Sequence, residues 1–125
     1  MGNGNVIYIA GPMRGKPGLN RVGFYHASLF LIHQRFNWII LNPACLPNGL
    51  PETAYMPICL AMLQQADVIG LLPGWEDSEG AKLELAYAQM TGKRVIVLAQ
   101  EYGYTGTEDV YTNLYPPEFV KASGN

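Results

Sequence analysis

Gly74-Trp75-Glu76-Asp77-Ser78-Glu79-Gly80-Ala81-Lys82-Leu83-Glu84-Leu85-Ala86-Tyr87-Ala88 decides the fold, because it reads as a strand end, a loop and a helix in direct succession. Each helical residue advances about 100° around the axis. On that wheel Lys82, Gln89 and Lys93 cluster on one side, the wet face. Glu84 falls almost opposite them, flanked by Leu83 and Leu85, with the small Gly80, Ala81 and Ala88 around it. A carboxylate centred on a buried face costs several kcal/mol unless it has partners. Groups held against that penalty concentrate at functional sites, although structural ion pairs arise the same way. The structural alternative is that Glu84 meets a buried arginine or caps a neighbouring element.

Working outward, short apolar runs alternate with helical patterns. Val6-Ile7-Tyr8-Ile9-Ala10 is β-branched and aromatic and is stopped by Gly11-Pro12, which marks a buried first strand. The loop Gly11 to Gly18 leads to a helix from about Asn20 to Phe36, with Phe24, Ala27 and Leu31 at helical spacing and Asn37 as a left-handed C-cap. Trp38 to Leu41 is a second strand ended by Asn42-Pro43, and Ala44 to Thr53 is irregular. A helix from about Pro57 to Ala66 starts on a proline suited to a first turn. Asp67 to Leu72 is a third strand, apolar on both faces as parallel strands require. The Glu84 helix ends near Thr91, with Gly92 just past it, and Arg94 to Leu98 is a fourth strand. From Glu101 onward no element is assigned, and no internal repeat occurs. Such alternation predicts a parallel sheet with helices on both faces.

At 125 residues the chain is expected to be one domain. Hydrophobic residues make up 49% of it and charged ones 14%, which excludes a disordered chain. A net charge of −2 without a Lys/Arg run excludes a duplex nucleic-acid binder, which needs a basic footprint. A small anion held by a few donors remains open. So low a charge also points to surface buried against a second copy of the chain. Cys45 and Cys59, the only cysteines, are too few for a disulfide framework or a zinc site. Neither a secretory leader nor a run of membrane-spanning length is seen, so a cytoplasmic setting and no membrane partner are expected.

Ligands of open parallel sheets sit beyond the carboxyl ends of the strands. Three segments meet there: Gly11 to Gly18, Asn42-Pro43-Ala44 and Pro73 to Gly80. The first is Gly11-Pro12-Met13-Arg14-Gly15-Lys16-Pro17-Gly18, a Gly-rich turn carrying Arg14 and Lys16 and suited to an anion. It is neither a Walker A loop nor the G-x-G-x-x-G fingerprint. It reads equally as an ordinary connecting loop with solvated basic residues. Ser78 and Gly80 open the Glu84 helix, where a hydroxyl and free N–H groups form an anion site; Ser78 is also the natural N-cap, and both roles can coexist. Tyr8 lies mid-strand, and with the usual strand order it sits beside the third strand. A buried hydroxyl needs a partner, for which Glu84 and a backbone carbonyl are the alternatives. Trp75 could stack on a base or pack on its own domain. His26 and His33 share a helix face with no third ligand at metal spacing, and neither the zincin nor the zinc-deaminase motif occurs. No metal or cofactor is expected.

Ile7-Tyr8-Ile9-Ala10-Gly11-Pro12-Met13-Arg14-Gly15, Asn42-Pro43-Ala44, Ala66-Asp67-Val68 and Ser78-x-Gly80-x-x-x-Glu84-Leu85-Ala86-Tyr87-Ala88 together resemble the nucleoside 2-deoxyribosyltransferase superfamily. The similarity covers about residues 6 to 99 and is greatest to a short, often phage-encoded branch with L-P-G-W-x-x-S-x-G-A-x-x-E. It implies a flavodoxin- or Rossmann-like three-layer α/β sandwich around a four- to five-stranded parallel sheet, working as a homodimer or higher homo-oligomer. It implies cleavage of the N-glycosidic bond of deoxynucleosides or nucleotides, with Glu84 in the place of the nucleophile and Tyr8 in that of the tyrosine that orients it. In members using nucleoside 5′-monophosphates a serine matching Ser78 binds the phosphate, which with Arg14 points to a nucleotide. The sequence departs at Cys59, eight residues before Asp67, where the family usually has an aspartate acting on the leaving base. Asp77 and Glu76 are the nearest substitutes by sequence. The expected activity is therefore a nucleotide N-glycosidase or base-exchange transferase, and the competing expectation is a non-catalytic nucleotide-binding module. Tyr111, Asn113 and Tyr115 are candidates to complete a partner's pocket.

Overall fold

The β-branched run of the first strand forms Val6–Ala10 (β1), flanked by Ile39–Leu41 (β2) on one side and Val68–Leu71 (β3) on the other; Arg94–Val97 (β4) lies beyond β3. The structure, a computed structural model, describes residues 4–34 and 36–106. The order is β2-β1-β3-β4 and every pairing is parallel, with Tyr8 opposite Leu41 and Ile69. Among the described residues four α-helices connect or follow the strands: Arg21–Ile32 (α1), Glu52–Gln64 (α2), Glu79–Met90 (α3) and Leu98–Tyr102 (α4). This is a flavodoxin- or Rossmann-like α/β fold.

The pleat of β1 explains the three layers. Successive side chains point to opposite faces, so Ile7 and Ile9 enter one core with Val68, Ile96, the Phe24, Ala27 and Leu31 face of α1, and Leu98 and Tyr104. Tyr8 and Ala10 enter the other with Ile69, Leu71, Leu63 of α2, and Ala81 and Ala88 of α3. A strand order that starts in the middle places the topological switch between β1 and β3, the position where open sheets form a crevice. There the two strand ends approach closely: a Cβ on Gly11 would come within 2.8 Å of the Leu72 Cβ. Only glycine fits that approach.

Several boundaries differ from the sequence reading. The helix expected from Asn20 to Phe36 is shorter, because Gly18, Leu19 and Asn20 all take left-handed φ and delay its start to Arg21. It ends at Ile32, so Asn37, although left-handed as expected (φ 63), caps no helix. Trp38 precedes β2 instead of belonging to it. The helix expected to begin at Pro57 begins at Glu52 and runs through it. The amide missing at Pro57 would have met the carbonyl of Thr53, in the first turn; both residues are exposed, so water can satisfy that carbonyl. Pro51 holds the N-cap position instead. Leu98, read as the end of the fourth strand, starts α4.

Candidate functional site

Tyr8 is in place because β1 is apolar on both faces and its even-numbered residues face α2 and α3. Glu84 is in place because α3 is capped correctly: Ser78 has extended backbone and its Oγ accepts the Ala81 N–H at 3.1 Å. That cap sets the rotation of the helix and turns Glu84 onto the sheet, between Ala81 and Ala88, which are small enough to allow close approach. Leu83, which flanks Glu84 in the sequence, is exposed, while Leu85 on its other side packs against the α2–α3 core.

The Tyr8 hydroxyl donates to Glu84 Oε2 at 2.7 Å. Tyr8 is fully buried and Glu84 is 6% exposed, so this charge-capable pair lies almost entirely out of water. Burial pushes the Glu84 carboxyl up from 4.5 to about 7, and the bond from Tyr8 pulls the other way. The Tyr8 bond favours the charged form, and burial is the larger effect. Tyr8 itself is pushed well above the usual phenol range, by burial first and then by the neighbouring Glu84 and Cys59, so it is a proton donor at any physiological pH. Cys59, half-buried on α2, is the third member: burial raises its thiol, the Tyr8 contact lowers it and Glu84 raises it again. Near neutrality Glu84 divides between carboxylate and acid, which suits a nucleophile or a group that trades a proton.

The loop after β1 folds on itself. Lys16 N–H bonds the Met13 carbonyl, Leu19 N–H bonds that of Lys16, and the Asn20 amide donates to Pro12 O at 2.9 Å. Pro12 is buried, Met13 packs on the α1-side core and Gly15 takes φ 82, as its turn demands. The β1 and β3 loops touch, since a Cβ on Gly74 would lie 3.3 Å from Pro12. Arg14 is exposed and pairs with Glu52 at the start of α2. Asn42 is buried with its amide committed: Nδ2 donates to Ser28 Oγ at 2.8 Å and Oδ1 accepts the Ala44 N–H at 2.8 Å. Trp75 packs against the α2–α3 core, while Glu76 and Asp77 stand exposed on the same 3-10 turn, Trp75–Asp77. Gly80 lies under Met56 of α2, whose methyl would be 3.6 Å from a Cβ there. Tyr111, Asn113 and Tyr115 lie outside the described residues.

Two features escaped the sequence reading. Met56 crosses the first turn of α3, invisible once α2 was started at Pro57. A shallow cavity of about 100 Å³ lies between Asn20, Gly23, Leu72, Pro73 and Tyr104, on the α1 side of the sheet. Its wall includes Tyr104, which follows the last helix that any periodicity could indicate. Among the described residues no three His, Cys, Asp or Glu side chains converge to hold a metal ion.

Fold and site together define a small parallel α/β domain with a buried Tyr–Glu pair between its sheet and α3. The chain belongs to the family described as Domain of unknown function (DUF4406), whose model matches residues 5–97. No curated protein and no solved structure matches it.

Proposed function

We propose that the protein cleaves the N-glycosidic bond of a nucleoside or deoxynucleoside 5′-monophosphate, with Glu84 as nucleophile. The observation that carries this reading is the 2.7 Å bond from a fully buried Tyr8 to Glu84 Oε2. In the reaction, Glu84 Oε attacks C1′ as the C1′–N bond breaks; the base leaves with that electron pair and takes a proton from solvent, which the water of the second step later returns. The oxocarbenium-like state between these events is stabilised by the adjacent carboxylate. Water then attacks C1′ and frees Glu84; a second base in place of water gives exchange. Tyr8 holds one carboxylate oxygen by its hydrogen bond, which orients the other toward the sugar.

Ser78 is compatible with a phosphate as well as with its capping role. Its oxygen accepts the Ala81 N–H, so its hydroxyl proton is still free to donate to a phosphate oxygen at the start of α3. The resemblance to nucleoside 2-deoxyribosyltransferases supports the same assignment. The decisive experiment is chromatographic detection of free base from separate deoxynucleosides, deoxynucleotides and ribonucleotides, with wild type beside Glu84→Gln. Release by wild type alone is expected; full turnover by Glu84→Gln would remove Glu84 from the mechanism.

One observation favours a second reading, a non-catalytic nucleotide-binding module. Asp77 is exposed on the Trp75–Asp77 turn, and the residue beside the Tyr8–Glu84 pair is a thiol whose proton burial holds tightly. Neither is a ready acid for a departing base. Saturable nucleotide binding in calorimetry without base release is the result that reading requires.

A further inference from the structure

Glu84 is 6% exposed, yet the proposed reaction needs its free oxygen against C1′ of a sugar. What lies over it follows from helix geometry. A helical side chain leans back toward the N-terminus and covers the turn three and four residues before it. For Glu84 that turn is Gly80–Ala81, so the carboxyl group is directed at Gly80 on the inner face of α3. Gly80, without a side chain, leaves that place open, and Met56 of α2 takes it. The Met56 methyl carbon stands 3.6 Å from the position a Cβ on Gly80 would occupy, and Ser78 Oγ lies 4.0 Å from the same point. Because α3 starts from the loop that follows β3, its first turn is the end nearest the carboxyl ends of the strands. A ligand entering from there meets Met56 before Glu84.

We propose that Met56 is the gate of the Glu84 site. Its methyl covers the carboxyl group, and rotation about its side-chain bonds uncovers that group for a sugar arriving along the first turn of α3. Methionine is unbranched and bends at three bonds, and Met56 is only half-buried, so it can swing. The turn of α2 that carries it is also one hydrogen bond short, because Pro57 has no amide to give the Thr53 carbonyl. Ala81 and Ala88, the neighbours of Glu84 on α3, have no side chain that can move aside, and Leu63 and Ile69 are buried in the core beneath. An apolar gate suits the task. Shut, it keeps water from the carboxyl group and adds no charge beside it; open, it gives way to the carbon skeleton of the sugar ring. The covering of Glu84 stands apart from any substrate, whereas the sugar as the group that displaces Met56 rests on the glycosidic reading.

The test is labelling of carboxyl groups by a water-soluble carbodiimide and methylamine, followed residue by residue by mass spectrometry, in wild type, Met56→Ala and Met56→Ile. Glu79, exposed on the same helix, is the internal reference. Met56→Ala removes the cover and should label Glu84 at least about fivefold faster relative to Glu79, since the closed state no longer holds most of the population. Met56→Ile keeps an apolar cover but is branched at Cβ and held to one rotamer in a helix. In it Glu84 should label no faster than in wild type, and kcat/KM for base release from a nucleoside 5′-monophosphate should fall at least about threefold. Equal labelling of Glu84 in wild type and Met56→Ala overturns the proposal. Equal acceleration in both variants overturns it too, since that would report loosened packing and not a lost cover. Base release by Met56→Ile with the kcat/KM of wild type overturns it as well. Faster labelling of Met56→Ala in a protein that releases no base overturns the glycosidic reading alone.

Discussion

Glu84 couples the stability of the protein to pH in a direction opposite to that of most carboxylates. A paired surface acid binds its proton less tightly when folded; Glu84 binds it more tightly, because burial lifts its carboxyl from 4.5 to about 7. Between those values the native state therefore carries a proton that the unfolded state has lost. The contribution is fully present below about 4.5, declines as pH rises through about 7 and is absent above, amounting to on the order of 3 kcal/mol. Urea unfolding at about pH 5 and about pH 8 should show wild type losing stability relative to Glu84→Gln as pH rises. Parallel behaviour of the two proteins would mean that Glu84 is not held as the structure has it. On the glycosidic reading the same ionisation would set the rate, so kcat/KM for base release should rise with pH along an acid limb centred near 7. Tyr8→Phe removes a hydrogen bond to a charged group, so kcat/KM should fall about 10- to 100-fold. It should also move that limb upward, because the only interaction opposing burial is gone. An unmoved limb would show that the Tyr8 bond does not act on Glu84.

At the scale of elements, α3 does two things at once, since its N-terminus is capped by Ser78 and its second turn carries Glu84, the nucleophile of the proposed reaction. Ser78→Asp separates them. Aspartate caps as well as serine, so stability should stay within about 0.5 kcal/mol of wild type. A carboxylate beside a bound phosphate repels it, so KM for a nucleoside 5′-monophosphate should rise at least about tenfold while that for the free nucleoside does not. Equal effects on both substrates would place the phosphate elsewhere. The Tyr8–Glu84 bond was legible in sequence for a reason belonging to these same elements. The helix wheel indicated which face of α3 is buried, and the first and third strands lie side by side in the usual parallel order, which made Glu84 one of two partners open to Tyr8, a backbone carbonyl being the other. The register of α2 was not legible. Pro57 is a helix starter by preference, and only the exposure of the Thr53 carbonyl lets the helix pass through it. With α2 begun too late, neither Met56 over Gly80 nor the contact of Cys59 with Tyr8 could be placed from residue patterns. Arg14 shows another limit: spacing marked it as a basic loop residue, but its partner Glu52 comes from a segment that read as irregular.

The whole molecule leaves a good deal of apolar surface in water. On α3, Met90 is 83% exposed and Leu83 is 52% exposed, on the side turned away from the sheet; on α1, Val22 and Ile32 are exposed to similar degrees. Leu83 and Met90 sit seven residues apart on one face of α3, and Val22 and Tyr25, also exposed, sit three apart on α1, while among the described residues β2 and β4 are the sheet edges and carry the exposed Ile39 and Val95. Scattered apolar residues need no explanation, but contiguous ones mark contact surfaces. A chain of net charge −2 also has little self-repulsion to keep copies apart. Light scattering during size exclusion should accordingly give a mass that is a multiple of 13.8 kDa. Met90→Lys and Val22→Lys, made separately, place a charge on one stripe each while touching neither Tyr8 nor Glu84. The variant that falls to the mass of one chain identifies the interface, because an ammonium buried there without a partner is strongly unfavourable. A wild-type mass of 13.8 kDa would instead leave both stripes facing solvent. On the glycosidic reading, the site around Tyr8 and Glu84 would then have to bind a nucleotide with the residues of a single chain.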